Sequence, residues 1–399
     1  MSFALILVDA LSAVYVSRAT LPALCDLAEG GFAGPMANLY AYRGIEATLF
    51  TGQFPADHGV WGEFQPAVSK PEAWPDRVAW LAIKAGDFIP SDRLRLDVRY
   101  VVSRLGYKNQ LPLTGNLIPA ELRPRFTSSL ERPIWEAGSL GETQTLFDEL
   151  RAADLTFATV LHPVIQSDQH IEPYVRAYLA RGHRPGFWYI KYSALDALGH
   201  RFGPSVTKLA PALQLLNMQL AALISTLKAA YPPGELDLAV IADHGMSDVQ
   251  GRLDVRGLLK QVPGNFLYFL DSTTLRFWSE DSQTGARLQA WFADIPGLHI
   301  LDQAARRALR IPEDSRTGDI LIVLDEGQVI FPDFFHRSSL PRGMHGYAFI
   351  KTEAGLPFLA LEQEAAACLP SHWPLTHADV WSVIRQRLGL VEQGHRGKG

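Results

Sequence analysis

The chain alternates between continuous apolar runs of strand length and longer stretches with helical periodicity. The apolar runs cover residues 3–8, 157–161, 187–192 and 236–242. Runs without polar alternation are typical of parallel strands that are buried on both faces. Helical patterns lie between and beyond these runs, at 21–29, from 45 to 50, at 209–230 and at 378–388. Strands that alternate with helices predict an α/β fold with a mostly parallel central sheet.

Two segments depart from this alternation. Residues from about 65 to 140 are richer in Pro, Arg and Trp and have weak periodicity, which indicates an insertion. Residues from about 252 to 335 have strand and helix patterns of their own, which indicates a smaller lobe. We expect all 399 residues to form a single domain that carries this insertion and this lobe.

Composition and charge exclude several classes of protein. A net charge of −5 argues against a dedicated nucleic-acid binder, although a local basic pocket for an anion stays compatible with it. Cys25 and Cys368 do not form a CxxC, so no zinc ribbon or disulfide framework is expected. The apolar N-terminus lacks a basic region and is interrupted by Asp9, and no uninterrupted apolar run reaches about 18 residues. We therefore expect a soluble cytoplasmic protein with no membrane span.

Residue types that bind metals follow three of the predicted strands. The first strand ends at Asp9, the second leads into the segment YSALDALGHRFGP, and the third ends in ADHGM. The segment GMHGY lies further along the chain. Ligands collect at the carboxyl ends of strands in open α/β sheets, so these side chains are expected to meet at one edge. The candidate metal ligands are Asp9, Asp196, His200, Asp243, His244 and His345.

The chemistry of these residues suits two divalent cations. Aspartate and neutral histidine are ligands for zinc, with manganese as the alternative. Three Asp and three His divide into two sites of three ligands, each with open positions. Two ions roughly 3.5–4 Å apart can hold the attacking and leaving oxygens of an in-line phosphoryl displacement. Any one of these residues alone has an ordinary explanation, such as a helix N-cap for Asp196, so the prediction depends on the whole set.

The fragments DALGHRFGP, ADHGM and GMHGY resemble the metal motifs of the alkaline phosphatase superfamily. These fragments are most similar in sequence to the type I phosphodiesterase/nucleotide pyrophosphatase branch, and so is the segment TGQFPADHGVW. The resemblance spans residues 9 to about 390, apart from the insertion. It implies an alkaline-phosphatase-like α/β sandwich, with a mostly parallel sheet flanked by helices. It also implies that one metal is held by Asp9, Asp243 and His244, and the other by Asp196, His200 and His345.

Tyr42 departs from the pattern of this superfamily. A Thr, Ser or Cys nucleophile opens the helix that ends in TG, and here that position is Tyr42. A metal can lower the pKa of a bound hydroxyl by several units, so Tyr42 is a candidate phenolate nucleophile. The alternative is that Tyr42 lines the pocket and metal-activated water attacks directly. Thr48, the nearby alcohol, lies in the middle of the predicted helix and is a weak candidate.

A second departure is Glu63, which stands where the phosphodiesterase branch has an Asn that holds a phosphate oxygen. Its carboxylate would repel phosphate unless protonated or paired with a cation, so it contacts either a sugar hydroxyl, the leaving group or solvent. Arg43 could clamp a phosphate oxygen bidentately or be structural. Asp57 and His58 are expected in a turn that packs under the site.

Other residues have weaker signals. Histidines outside any matching motif are expected to be ordinary, and aromatic residues of the insertion either stack on a base or sugar or pack in the core. The histidines are His336, His372 and His377, and the aromatic residues are Trp74, Trp80, Tyr100 and Tyr107. The arginine-rich segment 92–100 is expected to be a solvated face.

The function that these observations predict is metal-dependent hydrolysis of a phosphodiester or pyrophosphate bond in a small ester, such as a nucleotide or nucleotide sugar. The alternatives are a phosphomonoesterase, a sulfatase-like hydrolase or a phosphotransferase of the same superfamily, or a non-catalytic metal-bound protein. No nucleic-acid partner is expected, and the sequence leaves the oligomeric state open.

Overall fold

The computed structural model describes residues 1–67, 117–119, 121–122, 125–130, 132–336 and 339–390, together with positions 81 and 85. Most of the expected insertion lies outside the described residues. The predictions for Trp74, Trp80, Tyr100 and Tyr107, and for the arginine-rich segment 92–100, fall there. They stay predictions, as do the boundaries of the insertion and of the lobe.

The strands of the described residues are short and are numbered here in chain order. They are β1 (Ser2–Val8), β2 (Phe32–Pro35), β3 (Phe64–Pro66), β4 (Phe126–Ser128), β5 (Phe157–Val160), β6 (Phe187–Tyr192), β7 (Leu236–Ile241), β8 (Ser247–Asp248), β9 (Gly251–Leu253), β10 (Phe266–Leu270), β11 (Thr274–Ser279), β12 (Leu298–Ile300), β13 (Ile320–Leu324), β14 (Gln328–Ile330), β15 (Gly343–Met344) and β16 (Phe358–Leu361).

The helices of the same residues are numbered in the same way. They are α1 (Pro22–Leu27), α2 (Arg43–Thr51), α3 (Pro55–His58), α4 (Leu146–Ala152), α5 (Ile171–Ala180), α6 (Ala194–Phe202), α7 (Val206–Ala230), α8 (Arg256–Leu259), α9 (Ser282–Ala293), α10 (Gln303–Ala308), α11 (Gln363–Ala366) and α12 (His377–Leu388). Short 3₁₀ turns lie at Ala13–Tyr15, Asp168–His170 and Glu353–Gly355.

The main sheet has six strands in the order β2-β16-β7-β1-β6-β5. Strands β7, β1, β6 and β5 are parallel to one another, whereas β16 runs antiparallel to both β7 and β2. The apolar runs of the sequence coincide with the four parallel strands. The predicted α/β class with a mostly parallel sheet is therefore confirmed.

Helices cover both faces of this sheet. Alternate residues of β1 enter two different cores: Ile6 packs beside the leucines of α7, and Leu5 packs beside α2 and α12. Both residues are fully buried, which is the burial expected of a central parallel strand. The apolar run at 3–8 is continuous because helices cover both faces of the sheet at this strand.

The strand register brings the ends of three central strands together. Val8 of β1 lies opposite Tyr192 of β6, and Leu7 lies opposite Ile241 of β7. The residues that follow these three strands therefore leave the sheet at one edge. That edge holds the candidate metal ligands.

A second, smaller sheet has the order β10-β11-β13-β12 and is antiparallel throughout. Its apolar face packs against β3 and β4 side chains such as Phe64 and Phe126. The turn between β10 and β11, residues 271–273, faces the start of helix α2 through a hydrogen bond between the hydroxyls of Thr273 and Tyr42. The smaller sheet thus reaches the same region as the ends of the main strands.

Helix α7 is the one described helix whose length and composition would allow it to cross a membrane. Six of its leucines are buried in the core beside the main sheet, namely Leu209, Leu213, Leu216, Leu220, Leu223 and Leu227. Core helices pass the same test of length and composition, so this feature is weak evidence for a membrane span.

Candidate metal centre and active site

Asp9, Asp243 and His244 form the first group of candidate ligands, which follows strands β1 and β7. His244 Nε2 lies 3.4 Å from Asp9 Oδ1 and 3.8 Å from Asp243 Oδ1. The backbone N–H groups of Ala10 and His244 donate to Asp243 Oδ1 over 3.1 and 3.0 Å. Ala10 has a φ of 61°, an unusual value for a residue with a Cβ, and this turn aims its N–H at the carboxylate.

Asp196, His200 and His345 form the second group. Asp196 and His200 lie four residues apart on α6, so they share one face of that helix. Asp196 Oδ1 lies 3.4 Å from His200 Nε2 and 3.6 Å from His345 Nε2. This carboxylate oxygen is buried and has no hydrogen-bond partner among the described residues.

The two groups are adjacent because a histidine of each stacks on the other. The rings of His244 and His345 are nearly parallel, with an interplanar angle of 8° and centroids 3.6 Å apart. The fold therefore brings together six predicted ligands that are spread along the chain from position 9 to position 345.

Backbone carbonyls fix the ring orientation of two of the histidines. His200 Nδ1 donates to the carbonyl of Gly343 over 2.9 Å, and His244 Nδ1 donates to the carbonyl of Gly245 over 3.0 Å. These bonds leave Nε2 of both rings for a ligand contact, as is typical of metal-binding histidines. Burial lowers the pKa of His345 well below its ordinary value, with the nearby His244 and His200 acting in the same direction. A neutral imidazole is the form that binds a cation.

The two aspartates of the first group differ in how well their surroundings stabilise the ionised form. Burial, followed by the charge of Asp243, raises the pKa of Asp9. Burial acts in the same direction on Asp243, but His244 and Lys191 outweigh it and lower the pKa of that carboxyl. Two largely buried carboxylates with a shared histidine, together with the unpartnered Asp196 Oδ1, fit a pair of divalent cations.

Lys191 contacts this group, although the sequence pattern did not single it out. It lies on β6, and its Nζ is 3.0 Å from Asp9 Oδ2 and 3.5 Å from Asp243 Oδ2. Burial would lower its pKa, but the two carboxylates raise the pKa above the ordinary value. Lys191 is therefore a fixed positive charge beneath the first group. A lysine within an otherwise apolar strand was the available signal.

Tyr42 occupies the N-cap of helix α2, as the sequence predicted. Its hydroxyl lies 3.1 Å from Thr273 Oγ1 and 3.4 Å from Thr274 Oγ1, at the turn of the smaller sheet. Its ring also lies close to the backbone beside His345, because a Cβ built on Gly346 would come within 3.0 Å of Tyr42 Cε1. Burial, with a smaller contribution from the charge of Asp271, raises the pKa of the phenol.

Helix α2 has a close backbone contact at its first turn. A Cβ at Gly44 would lie 2.5 Å from the carbonyl oxygen of Val60, so only glycine permits this approach. The N–H groups of Tyr42 and Gly44 both donate to the carbonyl of Trp61, over 2.9 and 3.3 Å. These contacts hold Tyr42 at the mouth of the site.

Arg43 and Glu63, both predicted to bind substrate, form an ion pair with each other. Arg43 Nε donates to Glu63 Oε2 and Arg43 Nη2 donates to Glu63 Oε1, each over 2.9 Å. Arg43 is therefore the cation that pairs with the Glu63 carboxylate, one of the conditions under which Glu63 would not repel a phosphate. Substrate binding by either residue stays a prediction.

The remaining residues with weak sequence signals have different environments. His58 packs under α2, where Thr48 Oγ1 lies 3.1 Å from His58 Nε2, so the candidate alcohol Thr48 is buried and engaged. His377 is buried and donates from Nε2 to the carbonyl of Ala242. His372 is largely exposed and lies 3.1 Å from Asp379 Oδ1.

His336, expected to be an ordinary histidine, lies near the second group of ligands. Its ring centroid lies 5.7 Å from that of His200, so it borders the second group of ligands. The sequence offered no signal for it, because it follows β14 in a loop without a matching motif.

Comparison with known families agrees with this geometry. A family model described as type I phosphodiesterase/nucleotide pyrophosphatase matches residues 3–348. The chain belongs to this family. As a type I phosphodiesterase/nucleotide pyrophosphatase, it is a hydrolase that acts on phosphoric ester bonds and depends on divalent metal. Among curated proteins, none matches the chain significantly.

Solved structures of related proteins share the fold. Human ectonucleotide pyrophosphatase/phosphodiesterase 5 has a TM-score of 0.69 at 14% identity, over 100% of this chain and 97% of that chain. An inactive variant of the murine protein, in complex with AMP, has a TM-score of 0.69 at 14% identity, over 99% and 97%. The murine protein itself gives 0.68 at 14% identity, over 100% and 97%. At this identity the likeness concerns the fold alone.

Proposed function

We propose that this hydrolase cleaves a phosphodiester or pyrophosphate bond with two divalent ions. Asp9, Asp243 and His244 would hold one ion, and Asp196, His200 and His345 the other. The observation that carries the proposal is the pair of facing three-residue groups joined by the stacked rings of His244 and His345. When bound, two such ions polarise the phosphoryl group and stabilise charge on the attacking and leaving oxygens.

The protein side chains position the ester and balance the charge of the site. Lys191 offsets part of the negative charge of Asp9 and Asp243. The N-terminus of helix α2, where Tyr42 stands, favours negative charge and so suits a phosphate group. The ion pair of Arg43 and Glu63 lies next to Tyr42 and adds a locally neutral polar surface.

Tyr42 is the proposed nucleophile. Its phenol oxygen would bond to phosphorus as the bond from phosphorus to the leaving oxygen breaks, and the phenol proton would pass to the leaving oxygen. Water would then break the bond between Tyr42 and phosphorus, which returns the proton to the phenol and releases the phosphate product. For this attack the hydroxyl has to leave its contacts with Thr273 and Thr274. The alternative is direct attack by water, with Tyr42 orienting the ester through the same hydroxyl.

A nucleotide is the proposed substrate class, and zinc is the proposed metal. The structure of the murine relative in complex with AMP supports the first of these. The balanced set of aspartate and histidine ligands supports zinc, and manganese is also compatible with it.

The proposal is tested with a substrate panel on metal-loaded protein. The panel contains a bis-aryl phosphodiester, an aryl monophosphate, an aryl sulfate and a nucleotide sugar, each assayed with zinc and with manganese. We expect kcat/KM to be highest for the diester or the nucleotide sugar. A preference of tenfold or more for the monoester or the sulfate would overturn the assigned reaction. Protein that retains no metal would overturn the two-ion site.

A further inference from the structure

His336 lies on the side of the second ligand group that faces the smaller sheet. Its ring centroid is 5.7 Å from that of His200. Its Nδ1 also lies 3.3 Å from Ser272 Oγ, in the same turn whose Thr273 contacts the Tyr42 hydroxyl. His336 and Tyr42 are therefore attached to one turn that borders the metal centre.

A buried carboxylate holds the His336 ring. Asp333 Oδ2 lies 3.1 Å from His336 Nδ1, and the Asp333 side chain is 1% exposed. The carboxylate is itself fixed, because the backbone N–H groups of Phe335 and His336 both donate to its Oδ1. In such an arrangement Nδ1 donates to the carboxylate, and the opposite nitrogen is directed outward.

The second ring nitrogen, Nε2, is the one available for a ligand. In the described part of the chain, the hydrogen bonds of the His336 ring all fall on Nδ1. The side chain is 25% exposed, so the ring is accessible although Asp333 is not. His336 is also outside both groups of candidate metal ligands. A fixed histidine with a free nitrogen beside a metal centre has the geometry of a substrate-binding residue.

We propose that His336, held by Asp333, binds the substrate with both ring nitrogens protonated, so that Nδ1 donates to Asp333 while Nε2 donates to an oxygen of the phosphate ester. The contact lies on the side of Asp196, His200 and His345. This inference rests on the proposed function, since it requires a phosphate group at the metal centre. Asp333 acts through His336 and is a positioning residue.

The test compares His336→Ala with wild-type protein loaded with zinc. We expect kcat/KM for the bis-aryl phosphodiester to fall ten- to a hundredfold, with metal content unchanged. Binding of inorganic phosphate, measured by calorimetry, should weaken by a similar factor. Added imidazole should restore part of the activity, which a purely structural loss would not allow. Asp333→Asn should reduce kcat/KM in the same direction by a smaller factor.

The matched control is His372→Ala, which removes a histidine paired with Asp379 on an exposed surface. It should leave kcat/KM and phosphate binding unchanged. If His336→Ala does not fold, His336→Gln is measured in its place. Unchanged phosphate binding, or loss of metal from a folded variant, would overturn the role of His336. Because calorimetry needs no turnover, wild type that binds phosphate without hydrolysing any ester would refute the proposed function and leave this inference standing.

Discussion

At the scale of single residues, Tyr42 joins the two sheets of the molecule at the candidate site. Its backbone begins helix α2, and its hydroxyl reaches the threonines that open β11. Among the described residues, Tyr40 makes a similar contact, because its hydroxyl also hydrogen-bonds Thr274. Tyr40 is fully buried in a hydrophobic cluster, whereas Tyr42 is partly exposed beside the metal centre. The pair therefore offers an internal comparison of two phenols.

We expect Tyr42→Phe to lower kcat by at least a thousandfold if the phenol attacks phosphorus. A role in orientation alone would cost ten- to a hundredfold, or about 1.4–2.7 kcal/mol at roughly 1.36 kcal/mol per decade. Metal content is measured alongside, and quenched mass spectrometry tests for phosphate on the Tyr42 peptide. Tyr40→Phe is the control and should keep kcat within a few fold. Near-normal turnover of Tyr42→Phe with full metal would exclude the nucleophile.

The ion pair of Arg43 and Glu63 affects how an anion meets the site. The two hydrogen bonds from the guanidinium to the carboxylate make the pair bidentate, and 38% of the Arg43 side chain and 16% of the Glu63 side chain are exposed. Burial would lower the pKa of Arg43, but the charges of Glu63 and Glu46 raise it, so the arginine stays protonated. While Arg43 is paired with Glu63, the carboxylate largely cancels the attraction of the arginine for an approaching phosphate.

Glu63→Gln removes that negative charge at nearly constant volume. We expect KM for an anionic diester to fall about three- to tenfold, with kcat little changed, because Arg43 can then attract the phosphate. Steady-state kinetics at two ionic strengths measure the effect, which should shrink at high salt. Glu149→Gln is the control, since it breaks an ion pair with Arg385, between α4 and α12, that includes none of the candidate site residues. An unchanged or higher KM would contradict this view of the pair.

At the scale of elements, the central strands were predictable because burial on both faces leaves a strong apolar signal. The run 187–192 coincides with β6, and the run 236–242 exceeds β7 by one residue. The strand ends then supplied six candidate residues that the structure brings together. Strands β2 and β16 were not predicted. Their segments are only four residues long, and β2 contains Gly34 and Pro35, which are typical of turns.

The residues that sequence reasoning missed act through contacts between distant elements. The contact of Lys191 with Asp9 and Asp243 arises because β6 lies beside β1, whose other neighbour is β7. His336 gains its position from the approach of the loop after β14 to α6. The pairing of Arg43 with Glu63 likewise joins α2 to the chain before β3. No local pattern encodes these contacts, so they could not be predicted from spacing alone.

Helix α3 provides a pH-dependent contact with α2. His58 is 7% exposed, and its Nδ1 accepts from the N–H of Val60 while Nε2 faces Thr48. Burial lowers the pKa of His58 from 6.5 to about 4. The unfolded chain therefore binds a proton at a higher pH than the folded protein does. The resulting stabilisation is present above about pH 6.5 and is lost as the pH falls toward 4.

We expect the free energy of unfolding of wild type to decline between pH 6.5 and pH 4, with up to about 3 kcal/mol due to His58. His58→Gln should have a shallower decline over the same range, whatever its stability at pH 7.5. Urea unfolding at several pH values measures both slopes. Parallel curves for the two proteins would show that His58 does not titrate in this way.

At the scale of the whole molecule, the candidate ligands join segments from nearly the full length of the chain. Asp9 follows the first strand, Asp196 and His200 lie on α6, and His345 follows β15. Bound cations would therefore link the N-terminal strand, the middle of the main sheet and the C-terminal part. In the unfolded chain these residues are far apart, so the native state binds the metals preferentially.

Removing the metals should accordingly destabilise the entire fold. We expect zinc at 100 times its Kd to raise the free energy of unfolding by about 2.7 kcal/mol per site relative to chelated protein. Asp243→Asn should lose most of the increment from the first site, because it removes a charge beside Asp9 and His244. Asp237→Asn is the matched control: Asp237 lies on β7, the strand that Asp243 follows, but it pairs with Arg387 and is not a candidate ligand. Urea unfolding with and without zinc measures each increment. Equal stability of the zinc-loaded and chelated wild type would show that the six residues do not hold metal in the native state. In that case zinc would also leave the stability of Asp237→Asn and of Asp243→Asn unchanged.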